Sequence, residues 1–177
     1  MGEATDWPIT GSVLEGHTDH VWSVSFSPDG KQIVSGSQDH TVWMWDAKTG
    51  GILFEPFQGH MSAVMSVAFS TNCKHIVSGS QDETVQVWDT ETGKMFSRPF
   101  EGHIGTVTFV AFLPDGKHIV SGSSDHMVQV WDAETGKAVS RPFQGHTDTV
   151  CSVVMENRLS QAQRTRLFKC GMQKRSR

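Results

Sequence analysis

The chain has 177 residues, of which 37% are hydrophobic and 19% charged, and its formal net charge is −4. This length and apolar content suit one folded domain and exclude an intrinsically disordered chain. No apolar run approaches the roughly 20 residues that a membrane helix needs, and the acidic N-terminal residues lack the pattern of a signal peptide.

The charge is divided unevenly along the chain, with a balance of −10 over residues 1–154 and +6 over residues 155–177. An acidic body with a short basic tail does not favour a nucleic-acid partner, and no membrane partner is expected. The three cysteines, Cys73, Cys151 and Cys170, are an odd number without C-x-x-C spacing, which is typical of reduced thiols. We therefore expect an intracellular protein in the cytoplasm, with the nucleus as the alternative.

After a strand-like segment over residues 9–15, the chain repeats with a period of 43 residues. Gly-His begins at residues 16, 59, 102 and 145, Ser-Gly-Ser at 35, 78 and 121, and Trp-Asp at 45, 88 and 131. The repeat defines three complete units, 17–59, 60–102 and 103–145, and a partial unit, 146–154.

Each unit contains four short strand-like runs. In the first unit, residues 21–26 alternate with the period of two that a strand requires, and Ser-Pro-Asp-Gly-Lys at 27–31 predicts a tight reversal. Residues 32–37 and 41–46 are predicted as the second and third strands, and a fourth begins at residue 51. The pattern predicts an all-β antiparallel meander.

The order Gly-His, Ser-Pro-Asp-Gly-Lys, Ser-Gly-Ser-x-Asp and Thr-Val-x-x-Trp-Asp resembles the WD40 repeat family, and most closely its fungal-type arrays. The resemblance covers residues 12–154. It implies four-stranded β-propeller blades, about three and a half of them here, and therefore an incomplete or open propeller. It also implies that the sequence repeat is offset from the blade, so that its last strand forms the outer edge of the next blade.

The resemblance further implies a polar tetrad in every blade, made of a histidine, a serine, a turn aspartate and a tryptophan. The predicted sets are His17, Ser35 (or Ser37), Asp39 and Trp45; His60, Ser78, Asp82 and Trp88; and His103, Ser121, Asp125 and Trp131. Buried imidazole, hydroxyl and indole groups must be paired, so such a network would hold one strand register.

A chemical role for these residues is the rival interpretation. Ser, His and Asp together suggest a hydrolase triad, but this set recurs three times and no Gly-x-Ser-x-Gly elbow is present. The Gly-His histidines would lie in different blades, too far apart to share a metal ion. The sequence therefore predicts no catalytic residue, no metal site and no cofactor.

Partners of this family commonly bind the face onto which the loops after Gly-His and the turns between the second and third strands open. The contact positions lie three and five residues after the histidine and just before the turn aspartate. Carried over, they are His20, Trp22, Gln38, Ala63, Met65, Gln81, Thr106, Thr108 and Ser124. Trp22 stands out as an interface anchor, and packing against a neighbouring blade is its alternative role.

Two segments depart from the repeat. In the second unit, Ser-Thr-Asn-Cys-Lys at 70–74 replaces the Pro-Asp-Gly turn; we expect Asn72 to take the left-handed conformation and Cys73 to be exposed at the loop tip. After residue 154 the repeat stops, and the basic tail, 155–177, is predicted to be disordered or weakly helical over 158–169. The two middle strands of a fourth blade are expected to be missing.

An open arc exposes apolar surface and a bare strand edge. Three explanations remain open: a fragment of a longer propeller, closure by another chain such as a second WD40 chain, and coverage by the tail. The leading function is a non-catalytic scaffold that binds a protein or peptide. The alternatives are a fragment without independent function and, less favoured, a propeller enzyme.

Overall fold

The computed structural model describes residues 13–143, 148–155 and 165–169, and within these ranges every regular element is a β-strand. The strands are β1 (Val21–Phe26), β2 (Gln32–Ser37), β3 (Val42–Asp46), β4 (Val64–Phe69), β5 (His75–Ser80), β6 (Val85–Asp89), β7 (Val107–Phe112), β8 (His118–Ser123), β9 (Val128–Asp132), β10 (Val150–Met155) and β11 (Thr165–Lys169). The predicted all-β class is confirmed. No helix within the described ranges is long and apolar enough to span a bilayer.

Three antiparallel sheets, β1-β2-β3, β4-β5-β6 and β7-β8-β9, form the first, second and third blades. The first two strands of the first unit have the predicted bounds, and the third begins one residue later. The hairpins form because the turn residues suit them. In the first turn, Gly30 takes a φ of 71°, and the Asp29 carboxylate accepts hydrogen bonds from the Ser27 hydroxyl and the Lys31 N–H.

The outer edge of each blade comes from the segment that follows its own Trp-Asp. In the first blade, Phe57 bridges Val42 and Ile52 bridges Trp45, both antiparallel, and the equivalent bridges recur in the second and third blades. The expected offset between repeat and blade is therefore wrong. In each of the units 17–59, 60–102 and 103–145, all four strands lie in one blade.

A β-bulge recurs in the first strand of every blade. It falls between Val21 and Ser23 in β1, between Val64 and Ser66 in β4, and at the matching positions of β7 and β10. An extra residue in one strand changes which side chains share a face. In β4 the valines at positions 64 and 67 thus both face the first blade, where they lie against Gly36.

The hydrophobic core lies between the blades. One cluster joins Val34, Val42, Met44 and Phe57 of the first blade to Val64, Val67, Phe69, Ile76 and Trp88 of the second, and a second cluster repeats this arrangement between the second and third blades. We call the face that packs on the preceding blade the leading face (Val64, Val67 and Trp88 in the second blade). The opposite face is the trailing face (Gly36 and Phe57 in the first).

Within the described ranges the fourth blade contains two strands, β10 and β11, which pair antiparallel. The prediction that both middle strands are missing is therefore wrong for one of them, and a helix is wrong for residues 165–169. The edge of β10 offers unpaired backbone groups, and an extended segment satisfies them whatever its composition. Residues 156–164 and 170–177 lie outside the described ranges.

The start of the chain and the turn of the second unit also differ from expectation. Residues 13–15 are not in a strand, and residues 9–12 lie outside the described ranges. In the turn, Cys73 rather than Asn72 takes the left-handed conformation, with a φ of 60°, and Cys73 is half-buried. Asn72 has the same role as Asp29 in the first turn. Its side-chain oxygen accepts hydrogen bonds from the Ser70 hydroxyl and the Lys74 N–H.

Candidate functional site

The first predicted tetrad comes together around His17. The Asp39 carboxylate only accepts, so the imidazole donates from Nδ1 to Oδ2 (2.8 Å), and Nε2 accepts from the Ser35 hydroxyl (2.8 Å). The Trp45 indole N–H donates to the same Ser35 oxygen at 2.9 Å. One serine thereby links an imidazole and an indole, and the aspartate orients the imidazole.

The same arrangement recurs in the second and third blades. His60 contacts Asp82 and Ser78 at 2.8 Å each, and His103 contacts Asp125 and Ser121 at 2.7 Å each. The Trp88 and Trp131 indoles each donate to their serine at 2.8 Å. The imidazoles of His60 and His103 have no exposed surface. Each histidine has its two ring nitrogens engaged within its own blade.

The second serine of Ser-Gly-Ser has a different task. The Ser37 hydroxyl donates to the Asp19 carbonyl (3.2 Å) and accepts from the Asp39 N–H (3.1 Å). Of the two serines considered for the first tetrad, Ser35 is the member and Ser37 holds the turn. The described ranges contain no group of three His, Cys, Asp or Glu side chains placed to hold a metal ion.

The turn aspartates are stabilised in the ionised form. Burial alone would raise the pKa of Asp39, but hydrogen bonds from the Thr41 hydroxyl, the Thr18 N–H and His17 outweigh burial and lower this pKa to about 2. The pKa of Asp82 and the pKa of Asp125 are lowered by the same balance between burial and hydrogen bonds. The tetrads therefore work as networks around a carboxylate anion.

Sequence reasoning missed the threonine two residues after the turn aspartate. The Thr41 hydroxyl donates to Asp39 Oδ1 at 2.5 Å, and Thr84 donates to Asp82 at 2.7 Å. In the third blade Met127 stands at this position, and only its backbone N–H reaches Asp125. The Asp-x-Thr spacing in two of the three units was the signal that could have revealed it.

The positions predicted as a partner-binding face meet at one end of each blade. The N–H of the residue before the turn aspartate donates to the carbonyl three residues after the histidine, in the pairs Gln38–His20 (2.8 Å), Gln81–Ala63 (2.9 Å) and Ser124–Thr106 (2.9 Å). Gln81 is exposed, whereas Met65, Thr106 and Ser124 are half-buried. The backbone therefore brings these predicted positions together in three equivalent loops.

Trp22 is the largest exposed side chain of this face, with 52% of its surface accessible. Its indole N–H donates to Gln38 Oε1 at 2.9 Å, and the His20 ring stacks beside it with 6.3 Å between centroids. His20 is in turn bound to the Asp19 carboxylate at 2.8 Å. Polar partners therefore hold the Trp22 ring at the surface.

Two predicted contact residues differ from the others of this face. Ala63 has no exposed surface, so the prediction is wrong for its side chain. Thr108 is half-buried, and its hydroxyl donates to the carbonyls of Gly122 and Val150. It therefore joins the third blade to the fourth.

The leading face of the first blade is open within the described ranges. Val21 and Val24 are 48% and 59% exposed, whereas the equivalent Val64 and Val67 are 0% and 5% exposed. The difference follows from the neighbour: the second blade packs on the first, and nothing described precedes the first.

The outer half of that leading face is covered from within the blade. The Trp43 ring stacks on Trp45 at 5.2 Å, with 15° between the ring planes. In the second blade Gln86 stands at the position of Trp43, and Phe57 of the first blade stacks on Trp88 instead, at 5.6 Å. The open part of the first leading face is therefore its inner half, around Val21 and Val24.

Comparison with known proteins agrees with this architecture. The family model for "WD domain, G-beta repeat" matches residues 9–46, 51–89 and 94–132. Protein Mut11 of Chlamydomonas reinhardtii is 60% identical over 37 residues, which are 21% of this chain and 10% of that protein.

Two further relatives match over a single repeat. The vegetative incompatibility protein HET-E-1 of Podospora anserina is 45% identical over 45 residues (25% of this chain, 3% of that protein), and the Notchless protein homolog of Arabidopsis thaliana is 56% identical over 41 residues (23% and 9%). The chain thus spans about a tenth or less of these relatives' lengths. With three matched repeats, each folded as a blade around its own tetrad, the chain belongs to the WD40-repeat family.

Proposed function

We propose that this chain is a non-catalytic scaffold that binds a protein or peptide at the blade ends carrying Trp22. Proteins of this family generally act as interaction scaffolds, which supports the proposal. The observation that carries it is the Trp22 ring, 52% exposed yet held by Gln38 and His20. A large aromatic side chain that loses little conformational freedom on binding is a typical interface anchor.

The site chemistry supports a binding role over catalysis. The histidine, serine and aspartate that could form a hydrolase triad are buried with the indole in each blade, and the serine oxygen already contacts both rings. A nucleophile must reach a substrate. We propose accordingly that the chain is not an enzyme, requires no cofactor, and works in the cytoplasm with the nucleus as the alternative.

The test compares Trp22→Ala with Phe96→Ala, which removes an aromatic ring of similar exposure (43%) from another surface. Tagged proteins are incubated with extract of the source organism, and retained proteins are quantified by mass spectrometry. We expect at least one protein to be retained by the wild type and by Phe96→Ala but reduced about tenfold or more by Trp22→Ala, the effect of an interface residue worth about 1.4 kcal/mol. Unchanged retention, or a melting temperature that falls with Trp22→Ala, would contradict the proposal.

The alternative is a fragment of a longer WD40 protein without an independent partner. The exposure of Val21 and Val24 favours it, because the same face is buried in the other blades. Size-exclusion chromatography with light scattering and a thermal melt separate the two. A defined species with one cooperative transition supports the scaffold, and a polydisperse aggregate supports the fragment. A further candidate partner is another WD40 chain that completes the propeller.

A further inference from the structure

Two exposed apolar side chains lie beside carboxylates at the end of the blades that carries the Gly-His loops, which we call the Gly-His end. Met61 is 83% exposed and Ile104 is 78% exposed. The Met61 N–H donates to Asp82 at 2.9 Å, and the Ile104 N–H donates to Asp125 at 3.1 Å. The second and third blades therefore each present an apolar side chain next to an anion at this end.

The charges of the first three blades are divided between their two ends. The loops and turns at the Gly-His end contain five acidic residues and no lysine or arginine, over residues 18–20, 38–41, 61–63, 81–84, 104–106 and 124–127. Antiparallel pairing places the six lysines of these blades in turns at the opposite end, at positions 31, 48, 74, 94, 117 and 137. Arg98 and Arg141 lie on the outer segments. The Gly-His end therefore has no basic side chain of its own in these loops.

The histidines of the tetrads do not compensate these negative charges. The Ser78 hydroxyl accepts from the Trp88 indole and therefore donates to His60 Nε2. A ring nitrogen that accepts a hydrogen bond carries no proton, so the imidazole is neutral and the Asp82 carboxylate keeps its charge. With the exposed Glu83 beside it, the Gly-His end of the second blade is anionic.

The backbone register of the fourth blade directs the chain to this same end. β11 ends at Lys169, whose Cα pairs with that of Val150, the first residue of β10. In the third blade the residue in this register is Ser123, which directly precedes the turn at 124–127. The chain therefore leaves β11 at the Gly-His end.

The sequence that follows β11 is complementary to this surface. Residues 170–177 are Cys-Gly-Met-Gln-Lys-Arg-Ser-Arg, with three cations, no acid and one methionine. Eight extended residues span about 26 Å at about 3.3 Å each. Packed sheets lie about 10 Å apart, so this length is sufficient to pass the third blade and reach the second.

We propose that residues 170–177 dock in cis on the Gly-His ends of the second and third blades, where their cations face the carboxylates and Met172 contacts the exposed apolar side chains. Since these ends include Gln81 and Ser124 of the predicted partner-binding face, an external partner that uses them must displace the segment. That consequence rests on the proposed function, whereas the docking itself does not. Trp22 belongs to the first blade, so the two tests can fail separately.

The test measures how freely a solute reaches the Met61 methyl group in the full chain. Protein labelled with ¹³C at the methionine methyl groups is titrated with an uncharged gadolinium chelate, which broadens the signals of exposed methyl groups. The Met61→Leu variant identifies the Met61 signal. The Ile104 δ1 methyl group, labelled in the same way, reports on the third blade.

Two variants with the same change in net charge are compared with the wild type. The tail-neutral variant removes the three cations of the segment by combining Lys174→Gln, Arg175→Gln and Arg177→Gln. The control variant removes three exposed lysines from the opposite end by combining Lys31→Gln, Lys74→Gln and Lys117→Gln.

We expect the tail-neutral variant to increase the broadening of the Met61 and Ile104 signals about twofold, because a weak contact at a millimolar effective concentration is made about half of the time. The control variant should behave as the wild type. About 1 M NaCl, which screens charges beyond about 3 Å, should have the effect of the tail-neutral variant. Glu83→Gln should give part of the increase, and Glu91→Gln, at an exposed acid of the opposite end, should give none.

Three results would overturn the proposal. The first is equal broadening of both signals in the wild type and the tail-neutral variant, which would mean that the segment does not cover them. The second is an equal increase in the tail-neutral and control variants, which would assign the effect to net charge. The third is protection that weakens on dilution of the wild type, since a second copy of the chain would then occupy the surface.

Discussion

At the scale of residues, the recurring tetrads show why repetition is informative about role. The sequence places a histidine, serine, aspartate and tryptophan at fixed spacing three times, and the structure joins each set by hydrogen bonds of 2.7–2.9 Å. A serine that accepts from an indole and donates to an imidazole satisfies two buried groups at once, each of which would otherwise cost roughly 1–3 kcal/mol. The lowered pKa of the aspartate in each network predicts that the fold is sensitive to acid.

We therefore expect stability to fall as pH decreases from about 4 towards about 2. The pKa of Asp39 is about 2 in the folded chain against an ordinary value of 3.8, so its contribution is complete above the ordinary value and is lost as pH falls through the folded value. Melting temperatures of the wild type and of Asp39→Asn over this range provide the check. The variant should melt lower at pH 7 and lose less on acidification; equal slopes would show that this carboxylate does not govern the transition.

The residues that sequence reasoning misplaced depend on neighbours rather than on spacing. Ala63 has the spacing of a contact residue, but its side chain is fully buried. Trp43 was not singled out, because its stacking on Trp45 matters only where no preceding blade supplies a phenylalanine. A repeat pattern predicts what the copies share, and it does not predict how a terminal copy compensates for a missing neighbour.

At the scale of elements, the strands of the first three blades were predictable because each combines alternation with a marked turn. β1 and β2 have the predicted bounds, separated by the Pro-Asp-Gly turn. β11 was not predictable: residues 165–169 are basic and lack the repeat's Ser-Gly-Ser, and their strand conformation follows from pairing with β10. Local composition determines the conformation of a segment only where pairing with a neighbouring strand does not favour a different one.

The turn of the second blade predicts a stabilising substitution. Cys73 has a φ of 60° at the position where Gly30 and Gly116 stand in the other blades. A residue with a Cβ is strained there, and glycine relieves the strain. Cys73→Gly should raise the free energy of unfolding by about 1 kcal/mol in urea denaturation. Cys73→Ala is the control, since it removes the thiol but keeps the Cβ; an equal gain from both would assign the effect to the thiol instead.

At the scale of the whole molecule, the blades stabilise one another through the layers between them, and the two ends are unequal. Phe57 and Phe100 are each 2% exposed because they stack on Trp88 and Trp131 of the following blade, whereas Phe143 is 54% exposed. The repeat interval places Lys174 where the next tryptophan would stand. The interruption of the repeat predicted this open end, and it could not predict that a second strand would still pair in the fourth blade.

The same asymmetry predicts that one substitution, valine to lysine, changes the free energy of unfolding by very different amounts at two equivalent positions. Val67→Lys places a charge in the layer between the first and second blades, where the valine is 5% exposed, and should prevent folding or lower the free energy of unfolding by about 3 kcal/mol or more. Val24→Lys should change it by about 0.5 kcal/mol or less, because Val24 is 59% exposed. Urea denaturation monitored by tryptophan fluorescence measures both. Equal losses would mean that Val24 is covered in the isolated chain.

The pairing of each outer segment with its own third strand has a consequence for how such arrays change in length. Between Phe57, which closes one sheet, and His60, which belongs to the next, the backbone passes from blade to blade without entering a ladder. A duplication or deletion of 43 residues with its ends in this gap would add or remove an intact sheet. Only one layer of valine, glycine and phenylalanine contacts between two blades would then have to form anew. Copying a whole unit at this position therefore disturbs few contacts, and near-identical neighbouring units are the expected product.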